Sequence, residues 1–168
     1  MGKNNFIWEF EEKIQRALNY AYFFLKFRPR TKKEMLTYFT NKAKKTQLLD
    51  NEVIEATIAQ LEEEGLIDDR AFIAWLVEQM AKHKHKSERA IYYELLRFGL
   101  SKELINDYFE THPVDQESQA RLALKKKWRT YQLLDQRRRF EKAANFLLRR
   151  GFPFVIAKKT IAEMEERE

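Results

Sequence analysis

Glycine occupies only four of 168 positions, 2, 65, 99 and 151, and proline only three. A chain so poor in turn formers cannot punctuate a many-stranded sheet, so it must be built from long helices with short connections. The hydrophobic period agrees. Ile7, Phe10, Ile14, Ala17, Leu18, Ala21 and Leu25 step by three and four residues, the spacing of one helical face. Pro29 closes this first helix, because a proline drives the residue before it out of the α region. Thr31 and Glu34 then form a capping box for a second helix with Met35, Leu36 and Phe39 on its apolar face. Asp50 or Asn51 caps a third, carrying Val53, Ile54, Ile58 and Leu61, and Gly65 stands where a left-handed C′ residue is needed.

The same grammar recurs twice. Asp68 caps a helix with Phe72, Leu76 and Met80; Ser87 caps one with Ile91, Leu95 and Leu96 that stops at Gly99; Ser101 caps one with Leu104, Ile105 and Tyr108. Asp115 opens a helix with Ala120, Leu124, Trp128 and Tyr131. The next carries Phe140, Ala143, Ala144, Leu147 and Leu148 and stops at Gly151, and Pro153 opens the last, with Val155, Ile156 and Ile161. The segment LLRFGL at 95–100 matches LLRRGF at 147–152. The expected fold is therefore all-α: about nine helices in three tandem three-helix repeats, residues 1–66, 67–112 and 113–168. Each unit is too small to stand alone and gains by stacking, which predicts an elongated, curved array. The first unit departs from the pattern, with the polar stretch 41–47 in place of a glycine after its middle helix.

Chemistry finds little footing. Without cysteine there are no disulfides or thiolate metal sites, and no glycine cluster can cradle a phosphate. His83 and His85 lie two residues apart, so on a helix they face different ways and cannot share a metal. Asp68, Ser87 and Ser101 are helix caps before they are acids or nucleophiles. The chain is expected to be a non-enzyme without cofactor or metal. No apolar run is long enough to span a membrane and the first residues lack a signal core, so a cytoplasmic protein is expected.

Charge is the informative property. The net charge is +6, but residues 50–69 hold eight acids and no base, while 121–150 hold eleven bases and two acids. The segment entering each middle helix is basic: Arg28 and Arg30 in the first unit, Lys82, Lys84, Lys86 and Arg89 in the second. In the third, Arg137, Arg138 and Arg139 lie there, with Lys125, Lys126 and Lys127 on the preceding helix and Arg149 and Arg150 at its end. Recurrence at one structural position would line up charge along one side of the array, where it could track a phosphate backbone or an acidic groove. The alternative is that these are solvated charges serving solubility. Trp8, Trp75, Trp128 and the Tyr22, Phe23, Phe24 cluster could stack on unpaired bases, but Trp75 and Trp128 fall in helical apolar patterns and are expected in the core, while Tyr92, Tyr93 and Tyr131 fit either role.

Three stretches resemble a known family. EGLIDDRAF at 64–72 is similar to the junction between the first and second repeats of the RecX regulatory proteins, RAIYYELLRFGL at 89–100 resembles their second repeat, and KKK at 125–127 with RRF at 138–140 and LLRRGF at 147–152 looks like their third. The segment from Ala17 to Glu34 fits the first. The resemblance implies binding in the helical groove of the RecA–DNA filament and damping of ATP hydrolysis, strand exchange and repressor cleavage by RecA. It also implies weak, salt-sensitive, sequence-independent binding to single- and double-stranded DNA. A monomer with no membrane contact is expected, and the family supplies no catalytic residues to carry over. Two other readings fit the residues: a general helical nucleic-acid-binding protein, and a helical protein–protein adaptor.

Overall fold

The computed structural model describes residues 2–46 and 49–166, with side chains from residue 7 onward. Gln47, at the end of the polar stretch 41–47, lies outside the described residues. Among those residues there are nine α-helices and no strand: α1 (Gly2–Leu25), α2 (Lys32–Ala43), α3 (Asn51–Glu63), α4 (Asp69–Gln79), α5 (Glu88–Arg97), α6 (Lys102–Thr111), α7 (Gln116–Tyr131), α8 (Gln136–Arg149) and α9 (Phe154–Glu165). The all-α repeat array read from the sequence is what forms.

The caps fall where their side chains can serve. The Thr31 hydroxyl accepts from the Glu34 amide and the Glu34 carboxylate accepts from the Thr31 amide, completing the box. Asp50 accepts from Val53, Asp68 from Arg70 and Ala71, Ser87 from Ala90, Ser101 from Leu104, Asp115 from Ser118 and Asp135 from Arg138. Each of these bonds satisfies an amide that the start of a helix leaves without a partner. Pro153 does not enter α9; it stands just before it as a cap without a side-chain bond.

The chain divides into two compact units. One comprises Met1–Phe72 with Phe98–Leu100, the other Ile73–Arg97 with Ser101–Glu168. In the first, α3 packs on α1 and α2 around Ala17, Leu18, Ala21, Met35, Phe39, Val53, Ile58 and Leu61. In the second, α7, α8 and α9 enclose Ala120, Leu124, Trp128, Ala143, Leu147, Phe152 and Ile161.

Several expected core positions turn outward, Ile7 at 53% and Leu148 at 41% exposure among them. Leu36 is partly exposed because Met35 and Phe39 already fill the face of α2 toward α3. Val155 is 75% exposed, since Ala157 and Ile161 carry the buried stripe of α9. Trp75 is only half-buried, whereas Trp128 lies in the core as expected.

Candidate functional site

Two buried hydroxyls organise the surroundings of the basic residues. Thr31 Oγ1 donates to the Phe98 carbonyl at 2.9 Å, and Ser87 Oγ donates to the Arg150 carbonyl at 3.1 Å. Each carbonyl immediately precedes a glycine at φ +88°, Gly99 and Gly151. The left-handed turn presents the carbonyl outward, and the missing Cβ lets the capped helix approach: a Cβ at 151 would overlap Ser87 Oγ and lie 3.0 Å from the Ala90 Cβ. These two latches follow one design. At the end of α2 the backbone stays right-handed at Lys44 and the Thr46 hydroxyl donates back to the Lys42 carbonyl at 3.3 Å, so no left-handed glycine is needed there.

The predicted basic residues separate into two groups. Arg28 and Arg30 are folded in. Arg28 grips Glu34 with two bonds, Nη2 to Oε1 at 2.5 Å and Nη1 to Oε2 at 3.0 Å, and its guanidinium sits 5.3 Å from the Phe98 ring and 5.9 Å from the Phe72 ring. Arg30 lies 3.9 Å from the Phe24 ring, donates to the Phe24 carbonyl and reaches Glu34 at 3.5 Å. Burial, with the neighbouring Arg28 charge second, lowers its pKa from the usual arginine value. Arg139 is likewise drawn in, 3.2 Å from Glu165 and 5.9 Å from the Trp128 ring. Arg150 donates to the Lys84 carbonyl and covers the Phe146 ring at 4.7 Å. These four arginines use their charge within the fold.

The rest face solvent or lie partly open. Lys125, Lys126 and Lys127 are exposed along α7. Arg137 and Arg138 are exposed at the start of α8, beside Glu141 at 3.1 Å and Asp135 at 3.5 Å; surface pairs of this kind contribute little and yield readily to a stronger anion. Lys82 pairs with Glu78, Lys84 is exposed, and Lys86 is half-buried. Lys82 and Lys84 sit on a π-helical turn, Met80–Lys84, closed by His85 at φ +45°, and Lys86 follows it. Arg89 and Arg149 are exposed and line one groove of about 460 Å³ between α5 and the α8–α9 turn.

Two aromatics also line that groove, Tyr93 and Phe154, 54% and 53% exposed; the sequence leaves Tyr93 open between stacking and packing and does not single out Phe154. Tyr93 sits beneath Arg89, whose guanidinium is 5.9 Å from its centroid. Phe154 reads as an ordinary apolar residue at a helix start, so only its exposure reveals it.

Two tandem family models match this chain: the second three-helix domain of RecX over residues 68–108 and the third over residues 115–161, together more than half of its length. The chain belongs to the RecX family. Among relatives named regulatory protein RecX, that of Bacillus cytotoxicus is 24% identical over 160 residues, covering 95% of this chain and 57% of its own length. The Geobacillus kaustophilus protein is 26% identical over 166 residues (95% and 60%), and that of Streptomyces coelicolor 28% over 141 residues (83% and 72%). The chain thus spans less than two thirds of the length of the first two. The crystal structure of RecX from Lactobacillus salivarius superposes with a TM-score of 0.76 at 22% identity, covering 92% of this chain and 98% of that one, so the RecX fold is shared nearly end to end.

Proposed function

We propose that this RecX-family chain acts as a monomeric, cytoplasmic, non-catalytic regulator that binds the RecA–DNA filament and damps ATP hydrolysis, strand exchange and repressor cleavage by RecA. Its three units, 1–66, 67–112 and 113–168, would lie along the filament, with the exposed bases meeting DNA phosphates or filament carboxylates. The observation that carries this reading is the exposed basic surface, Lys125, Lys126 and Lys127 on α7 with Arg89 and Arg149. Bases that neutralise phosphates release counterions, so binding is salt-dependent and largely indifferent to sequence. A regulator shifts a filament between states only by binding one of them more tightly, so contact across adjacent subunits is where the effect originates.

The test is RecA ATPase on single-stranded DNA, titrated with this protein at two salt concentrations. Inhibition at near-stoichiometric protein that is relieved by salt is the expected result. An ATPase rate unchanged at both salts, with the protein folded and helical, overturns the regulator reading. A footprint at one defined DNA sequence without RecA would replace it with a site-specific DNA-binding protein.

A further inference from the structure

We propose that the groove between α5 and the α8–α9 turn binds one unpaired nucleotide of a single strand, holding its phosphate between Arg89 and Arg149 and its base against Tyr93 and Phe154. This deepens the regulator reading by naming a ligand for part of the basic surface, but it is read out without RecA.

The groove has the parts such a ligand needs. Among the described residues no carboxylate lines it, so both guanidinium groups keep their charge for an incoming anion. Its volume, about 460 Å³, accommodates a planar base with its sugar. One wall is α5, with Arg89 and Tyr93; the other is the turn holding Arg149, Gly151 and Phe154. The two exposed rings are each fixed by an edge-to-face neighbour: Tyr93 by Tyr92 at 5.9 Å and 89°, Phe154 by Phe140 at 6.5 Å and 81°. A ring held this way has lost its rotational freedom before any ligand arrives, which lowers the cost of stacking. Arg89 above the Tyr93 face adds a cation to the platform. Arginine with exposed aromatic faces is the chemistry that grips unpaired bases irrespective of sequence, and a duplex keeps those base faces buried. An acidic peptide without aromatic residues could use the arginines but offers the rings no aromatic face.

The corresponding groove of the first unit marks the contrast. It encloses about 420 Å³ and is lined by Phe27, Arg28, Arg30, Leu66 and Asp68 among others. There the arginines are held by Glu34 and a carboxylate stands in the wall, so no anion is invited.

The experiment uses the full chain and fluorescence anisotropy at low salt, with three probes: oligothymidylate of about ten nucleotides, an abasic strand of the same length, and a duplex. The intact protein should prefer oligothymidylate over the abasic strand by about tenfold, the size expected for one stacked base. Replacing both rings, Tyr93→Ala with Phe154→Ala, should erase that preference and leave abasic binding unchanged. Replacing both arginines, Arg89→Ala with Arg149→Ala, should weaken both strands and flatten the log–log salt slope by about 1.4, the share of two phosphate contacts on a single strand. All four positions are exposed, and unchanged circular dichroism confirms folding. The proposal falls if oligothymidylate and abasic strands bind equally, if the ring variant keeps the preference, if the duplex binds as tightly as the single strand, or if polyglutamate displaces oligothymidylate at equal charge. Full base preference without RecA inhibition would overturn only the regulator reading; RecA inhibition without base preference would overturn only the groove.

Discussion

Thr31 and Ser87 each cap a helix, each lie fully buried, and each donate to the carbonyl before a left-handed glycine, yet the arginines beside them behave oppositely. The cause is the third residue of the capped helix. In α2 it is Glu34, which closes the capping box and then captures Arg28 and Arg30. In α5 it is Ala90, which packs against Gly151, and the nearby Glu88 carboxylate is occupied by the Val114 amide. With no carboxylate there, Arg89 stays in solvent. At these two capped helices, one neighbour in the first helical turn separates the arginines held in the fold from the one left in solvent.

The largest expected effects probe the close approach on which both latches depend. Gly151→Ala should cost about 3 kcal/mol, adding the left-handed backbone penalty to an overlap with Ser87 and Ala90 that cannot move away. Gly99→Ala should cost about 2 kcal/mol, because most of the colliding Lys33 side chain can swing aside, although its Cβ, at 2.9 Å, cannot. Gly65→Ala, at φ +68° with nothing within 4 Å, should cost only about 1 kcal/mol. Urea unfolding of the three variants checks the ranking, and equal losses would show that backbone strain alone matters.

Next comes Glu34→Ala. It removes the cap bond and leaves two half-buried guanidinium groups without their carboxylate, a loss of about 2 kcal/mol. Arg149→Ala, by contrast, should leave the Tm where it is, so a matched pair of thermal melts separates the structural arginines from the surface ones.

Ser87→Ala should cost about 1 kcal/mol, since the Arg150 carbonyl still receives the Ser87 amide at 3.3 Å. Thr31→Val should cost more, because the Thr31 amide is committed to Glu34 and gives the Phe98 carbonyl nothing in return. Chemical denaturation of the two variants side by side measures that difference.

The smallest effect depends on pH. Asp69 accepts the Lys32 amide at 3.0 Å, and burial raises its pKa above the ordinary 3.8 despite that bond. A raised carboxyl favours the folded state while protonated, below 3.8, and that contribution is lost as pH climbs through the folded pKa. Asp69→Asn, neutral at every pH and still an acceptor, should therefore be slightly more stable than the parent at pH 7 and indistinguishable from it at pH 3. Urea midpoints across that range would show the convergence.

Much of the fold was legible because its signals are local. Thr31, Asp68, Ser87, Ser101 and Asp115 announce helix starts by side-chain chemistry, and Gly65, Gly99 and Gly151 announce left-handed turns. The basic surface was legible only as a list. Nothing near Arg28 in sequence says that Phe72 and Phe98 will receive its guanidinium, and nothing near Arg150 says that it will reach back to Lys84. Phe154 was hidden for the opposite reason, and Tyr93 left open for the same one: apolar residues at helical spacing predict burial, and only the packed molecule shows which were left over. The π-helical turn at Met80–Lys84 widens one turn of the helix, a change that hydrophobic spacing does not register.

The latches also bear on how the protein can be cut. Thr31 meets a carbonyl 67 residues ahead and Ser87 one 63 residues ahead, so each polar bond ends beyond the boundary of its own repeat. The first compact unit accordingly takes Phe98–Leu100 from far along the chain. A fragment ending at residue 66 or 72 loses the acceptor for a buried hydroxyl, while one ending after residue 100 keeps it. Soluble pieces for crystallography or two-hybrid mapping should therefore run on by two helices rather than stop where the sequence repeats.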